Sequence, residues 1–111
     1  MLSKVYSATL FGIEGNLIEI EADISSGIPN VNIVGLPDAS VKESKDRVKS
    51  AIQNSSLTFP LKRITINLAP SDIKKEGAGF DLAIAIGILA GSGQIKKDNL
   101  WKYSTFVLAA V

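Results

Sequence analysis

The chain has 111 residues, of which 46% are hydrophobic and 21% charged, and its formal net charge is +1. That is long enough for one core and too apolar for a disordered chain. It contains no cysteine and no histidine, which excludes disulfide scaffolds, thiolate or imidazole metal sites and histidine-based acid–base catalysis.

The charge is unevenly placed. Residues 1–41 carry Lys4 against Glu14, Glu19, Glu21, Asp23 and Asp38, a net of −4, and residues 42–111 carry a net of +5. Lys4 is followed by a mixed run, not by the unbroken apolar core of a signal peptide. The longest apolar run, Leu82 to Ala90, falls short of the ~20 residues a membrane span needs. A soluble, cytoplasmic protein with no membrane contact is expected.

In chain order, Tyr6, Ala8 and Leu10 alternate with Ser7 and Thr9, and Phe11 to Asn16 reads as a turn-rich break. Ile18, Ile20, Ala22 and Ile24 then alternate with Glu19, Glu21 and Asp23. This is the clearest two-residue period in the chain, so one face is buried and the other wet. The two segments are expected to pair as an antiparallel hairpin. Ser25 to Asn30 is a loop, and Val31 to Leu36 a short third strand.

Pro37-Asp38 opens a helix with Asp38 as N-cap. Val41, Val48, Ala51 and Ile52 fall on one stripe, whereas Lys42, Glu43, Asp46 and Lys49 face away. Glu43 and Arg47 form a favourable i, i+4 pair. The helix is expected to lie on a sheet and to end near Asn54 to Ser56. Ile64, Ile66 and Leu68 predict a fourth strand. A charged, glycine-bearing loop from Pro70 to Gly79 then runs into a helix from about Phe80 to Ala90, apolar all round and so covered on several sides. Gly91-Ser92-Gly93 stops it. Asp98 to Tyr103 reads as a connector and Thr105 to Val111 as a fifth strand. Because the chain stops inside that strand pattern, a single domain over 1–111 cut from a longer protein is expected.

The loop feeding a helix N-terminus has the layout of many active and anion sites. The Walker A string G-x-x-x-x-G-K-[ST] does not occur. Asp72, Glu76 and Asp81 could gather around Mg²⁺. The stronger reading puts Asp81 in the first helical turn, where a carboxylate suits the macrodipole, so no metal site is assigned. A serine–lysine dyad needs no histidine and could draw on Ser71 or Ser92 with Lys74 or Lys75, but those lysines read as exposed and a dyad lysine is desolvated. No catalytic residue is assigned. The basic doublets Lys62-Arg63, Lys74-Lys75 and Lys96-Lys97 suit phosphates. Phe59 and Phe80 read as core, and no stacking platform is evident.

Two stretches carry a family resemblance. Val31 to Ser44 (VNIVGLPDASVKES) and Ile66 to Gly77 (INLAPSDIKKEG), the latter followed by Phe80-Asp81-Leu82, strongly resemble signatures of the magnesium-chelatase-like AAA+ ATPases, the competence-protein type among them. The resemblance spans essentially the whole chain and implies the N-terminal domain that precedes the AAA+ module. The implied fold is α+β, similar to ribosomal protein S5 domain 2 and to the Lon-protease domain, a mixed sheet with helices packed on one side. The Lon nucleophile position, counted from Gly77, is occupied by Gly79, and the lysine partner falls beyond Val111. Protease chemistry is therefore not carried over. Where family members often have a proline, this chain has Ala83, a better helix former.

The resemblance implies a non-catalytic domain that assists hexamer assembly or DNA engagement in ATP-driven branch migration during natural transformation. ATP and Mg²⁺ are expected in the AAA+ module, and no cofactor in this chain. The contact candidates, to DNA or to a neighbouring subunit, are Lys74, Lys75, Glu76 and Gly77, with Lys62 and Arg63. The alternatives are a residual Lon-like serine peptidase and a subunit of a metal-chelatase-type ATPase.

Overall fold

The strongest alternation in the sequence becomes an inner strand of the sheet. The computed structural model describes residues 2–11, 14–69 and 80–95. Its elements, in order, are β1 (Leu2–Phe11), β2 (Glu14–Ser25), β3 (Asn30–Val34), α1 (Asp38–Asn54), β4 (Arg63–Ala69) and α2 (Asp81–Gly91). β1 and β2 form the expected antiparallel hairpin, β2 pairs antiparallel with β4, and β4 pairs parallel with β3. The result is a mixed sheet in the order β1-β2-β4-β3. The expected connector and fifth strand, residues 98–103 and 105–111, lie outside the described residues.

Strand alternation sorts the sheet into a dry and a wet face. Ile18, Ile20 and Ala22 of β2 and Ile64, Ile66 and Leu68 of β4 are wholly buried, whereas Asp23, Arg63 and Asn67 point to the exposed side. The inward residues form one cluster with Val48 and Ile52 of α1 and with Ile84 and Ile88 of α2. Both helices therefore cover the same face, and the architecture is α+β as expected.

β1 departs from the expectation. The alternation of Tyr6, Ala8 and Leu10 suggests an apolar face, yet among the described β1 side chains Ser3 and Val5 are buried and Tyr6 is 39% exposed. Register explains it. Val5 lies opposite Ile20 and Lys4 opposite Glu21, and residues paired across strands share a face. The acidic face of β2 thus draws Lys4 and Tyr6 outward. Lys4 Nζ sits 3.4 Å from Glu19, and the Tyr6 hydroxyl lies 3.5 Å from the same carboxylate. Hydrogen bonding to Glu19 raises the Lys4 pKa above its usual value. The ladder also runs to the pair Phe11–Glu14, so the strands extend into the expected turn.

β3 ends at Val34, earlier than expected, because Gly35 turns the chain with φ +104°. A Cβ on Gly35 would stand 2.5 Å from the Leu68 carbonyl oxygen of β4. The turn therefore needs glycine both for its φ and for its clearance. Asp38 is the first residue of α1, not its N-cap. Pro37 occupies the cap position and no side chain caps the end, so Asp38 acts through its charge in the first turn. The buried stripe of α1 is Ser44, Val48 and Ile52, with Ala51 exposed.

Both helices close alike. In α2, Gly93 takes φ +80°, its N–H donates to the Ala90 carbonyl at 3.1 Å, and the Gln94 N–H donates to the Leu89 carbonyl at 2.9 Å. In α1 the corresponding bonds run from Ser56 to Gln53 and from Leu57 to Ile52, each 3.2 Å. These pairs are the two bonds of a Schellman motif. Its left-handed position in α1 is filled by Ser56, at φ 62°.

These two turns respond oppositely to substitution. Gly35→Ala should destabilise the fold by about 3 kcal/mol, at the upper end of the range for backbone strain because the clash adds to it. Ser56→Gly should stabilise it by about 1 kcal/mol by relieving the left-handed penalty. Urea unfolding of the two variants beside the parent measures both, and a neutral Gly35→Ala would show that the turn is not constrained.

Candidate functional site

Parallel β3 and β4 run towards the same end of the sheet. There α1 departs through Gly35, Leu36 and Pro37, and residues 70–79 follow Ala69 of β4. The described chain resumes at Phe80, which is buried, and Asp81, the first residue of α2.

Asp81 is the polar hub of this end. Ser44 Oγ donates to Asp81 Oδ1 at 2.8 Å, and Arg47 Nε donates to Oδ2 at 2.6 Å. Arg47 also reaches Glu43, with Nη1 at 3.5 Å from Oε2. The hydrogen bond to Asp81 is the main cause that raises the Arg47 pKa further above its ordinary value. Ser44 is fully buried, and the Asp81 side chain retains 19% exposure. Both carboxylate oxygens are thus engaged by donors from α1. The arrangement aligns the start of α2 with α1. It also joins the two signature stretches, Ser44 lying in the first, Arg47 just after it, and Asp81 closing the second.

The expected contact residues divide into two groups. Lys74, Lys75, Glu76 and Gly77 lie outside the described residues, as do Ser71, Asp72 and Gly79. Lys62 and Arg63 are exposed, but they stand at the opposite end of β4 from Ala69. At ~3.3 Å per residue, the strand puts about 20 Å between its ends. Arg63 faces the open side of the sheet, where Gly27 lies beside its stem. Lys62 borders a cavity of about 490 Å³ together with Ile24, Thr58, Ser92 and Gln94.

Ser92 and Gln94 are structural in that cavity wall. Ser92 Oγ donates to the Leu89 carbonyl at 3.1 Å and accepts from Gln94 Nε2 at 2.9 Å. Gln94 grips the backbone of Thr58 twice, accepting its N–H at 2.9 Å and donating to its carbonyl at 2.7 Å. Of the three carboxylates considered for Mg²⁺, only Asp81 is described, and its oxygens are occupied. Among the described residues no group of three or more metal-ligating side chains occurs. No helix there is long and apolar enough to cross a membrane.

Sequence reasoning overlooked Ser44 and Gln94. Ser44 carried a signal, since it sits three residues after Val41 and four before Val48, inside the apolar stripe. A polar residue there implies a buried partner. Gln94 carried none, because its partner is backbone far along the chain.

Comparison with known proteins adds a family. The model for subunit ChlI of Mg-chelatase matches residues 20–109. The competence protein ComM of Haemophilus influenzae is 49% identical over 102 residues, which is 92% of this chain and 20% of that protein. An uncharacterised protein, YifB, of Salmonella typhimurium has the same identity and coverage. An uncharacterised protein of Mycobacterium tuberculosis is 44% identical over 96 residues, 86% of this chain and 19% of its own length. The chain therefore spans about one fifth of the length of these curated relatives.

The Asp81 hub makes an energetic prediction. Asp81→Ala should destabilise the fold by about 1–3 kcal/mol, because it leaves the buried Ser44 hydroxyl without its acceptor. Ser44→Ala alone should destabilise it by roughly 1 kcal/mol. The double variant should lose less than the sum, as expected for residues in one network. Equilibrium unfolding of the three variants tests this, and strict additivity would show that the bond does not couple the helices.

Proposed function

Because the chain belongs to the magnesium-chelatase subunit ChlI family, as a ComM-type member, we propose that it is a non-catalytic domain of an AAA+ ATPase, assisting hexamer assembly or DNA engagement during ATP-driven branch migration. The process served is recombination of incoming DNA in natural transformation, in the cytoplasm. The observation that carries this reading is the 49% identity to a protein named for competence along nearly the whole chain. The α+β architecture with both helices on one face supports a fold like that of ribosomal protein S5 domain 2.

ATP does not fit the described residues of this chain. Two glycines in and just after α2 have structural roles. Gly87 is buried against Ala22 of β2, where an added Cβ would meet the alanine Cβ at 3.2 Å, and Gly93 closes the helix. In this reading nucleotide binds in a separate AAA+ module.

For DNA contact the supporting features are the +5 balance of residues 42–111 and the exposure of Lys62 and Arg63. The Lys74-Lys75-Glu76-Gly77 stretch is the second contact in this reading. The two patches then act as separate footholds, since the sheet holds Lys62 and Arg63 away from where the 70–79 segment begins.

Fluorescence anisotropy of a labelled DNA duplex with this chain, across a salt series, tests the reading. Affinity should fall linearly with salt on logarithmic axes, as counterion release requires. Lys74→Glu with Lys75→Glu, and separately Lys62→Glu with Arg63→Glu, should weaken binding. Each pair should also lower the salt slope by about one for every phosphate that is no longer neutralised. Salt-independent binding, or variants that bind like the parent, would remove the DNA role and leave subunit contact.

A further inference from the structure

A second face of the molecule carries a different chemistry. The loop after α1 and the start of β3 enclose a shallow notch of about 160 Å³. Its apolar walls come from Pro29, Val31, Phe59, Pro60 and Leu61. Two lysines line it, Lys49 on α1 and Lys62 before β4. Among the described lining residues there is no carboxylate. Lys49 Nζ lies 5.8 Å from the centre of the Phe59 ring, which holds the charge over the apolar wall.

The surroundings strengthen the signal. Leu61 is 82% exposed, and Ile28, next to Pro29, is 85% exposed. Large apolar side chains grouped beside a concavity mark protein contact more than ordinary surface does. The notch also opens at β3, which is an edge strand of the described sheet. An edge strand offers alternate N–H and carbonyl groups to an added strand. The Asn30 N–H itself is bonded to the Lys62 carbonyl at 3.4 Å, which ties the β3 start to the notch wall.

We propose that this notch docks an extended, acidic segment of a protein partner, which places an apolar side chain between Phe59 and Leu61 and its carboxylates at Lys49 and Lys62. Charge complementarity selects the occupant, since both border charges are positive and no described lining residue offsets them. The apolar walls and the adjoining strand edge favour polypeptide over nucleic acid. Phe59 is half-buried with Lys49 over one ring face, which makes it a poor stacking platform for a base. This inference is independent of the DNA reading, although Lys62 would serve in both.

A fluorescein-labelled peptide alternating Glu and Leu, titrated against the 111-residue chain by anisotropy, is the probe. A peptide alternating Lys and Leu and a labelled single-stranded oligothymidine complete the set. The acidic peptide should bind, the basic one should not, and added salt should weaken binding. Lys49→Glu with Lys62→Glu should weaken it roughly tenfold or more, and Leu61→Ser should also weaken it. Lys42→Glu, on the outward face of α1, should leave it unchanged. The substituted side chains are exposed, and circular dichroism checks that each variant is folded. Equal binding of the two peptides, no binding of the acidic one, or indifference to the double charge reversal overturns the proposal. Oligothymidine binding that disappears in the double variant, without acidic-peptide binding, gives the patch to nucleic acid instead. Salt-independent duplex binding by the parent chain, beside acidic-peptide binding that the Lys49→Glu, Lys62→Glu variant loses, leaves this proposal standing while the DNA reading falls.

Discussion

A helix that is apolar around its whole circumference must be covered on several sides, and the packing of α2 organises the rest of this structure. Only its first turn offers a charge, Asp81. The floor is supplied by β1 and β2, whose inward residues Val5, Ile20 and Ala22 are buried to completion. At ~25 cal/mol per Å² of apolar surface, this burial is the main favourable term in the fold. Close approach depends on Gly87, which lets the helix settle onto Ala22. Ser3, the buried polar residue of β1, is satisfied by donating to the Gly87 carbonyl at 2.7 Å. The contact is therefore both tight and free of orphaned groups at that point.

The side wall for α2 is α1, and there the polar bonds matter most. Dispersion and burial hold two helices together without fixing their relative rotation or slide. Directional hydrogen bonds can. Ser44 and Arg47 engage both oxygens of Asp81, so the start of α2 has one position along α1. At the other end of α2, Gln94 clasps the backbone of Thr58 just beyond α1. The helix is thereby tied at both ends to the same neighbour.

The described ends of this scaffold are a parallel strand, β4, that ends at Ala69, and a helix, α2, that begins at the charged Asp81 beside α1. Active sites are often built on this layout because free N–H groups and the macrodipole favour anions there. In this chain the one described carboxylate at the junction has a structural duty. The resemblance places glycine, at Gly79, where Lon-type proteases carry a nucleophile. The Lys62-Arg63 doublet is held near the far end of β4, so the basic character of the chain is spread over separate surfaces.

Much of the fold was legible locally. A two-residue period in β2 and β4 and an uninterrupted apolar run in α2 report burial directly, because each residue's environment follows from its own position in the repeat. The hairpin, the α+β class and the family signatures came from the same local strings. Other features depended on partners distant in sequence. The outward turn of Tyr6 followed from the register against Glu19 and Glu21. The short β3 followed from the clearance between Gly35 and the Leu68 carbonyl. The buried role of Ser44 followed from Asp81, 37 residues away. Sequence by itself determined which faces of β2 and β4 are dry and roughly where the described helices and strands lie, because periodicity is a local property. Only the tertiary structure decided which polar groups are already satisfied and which charges stand together, because those depend on distances the chain sets when it closes on itself.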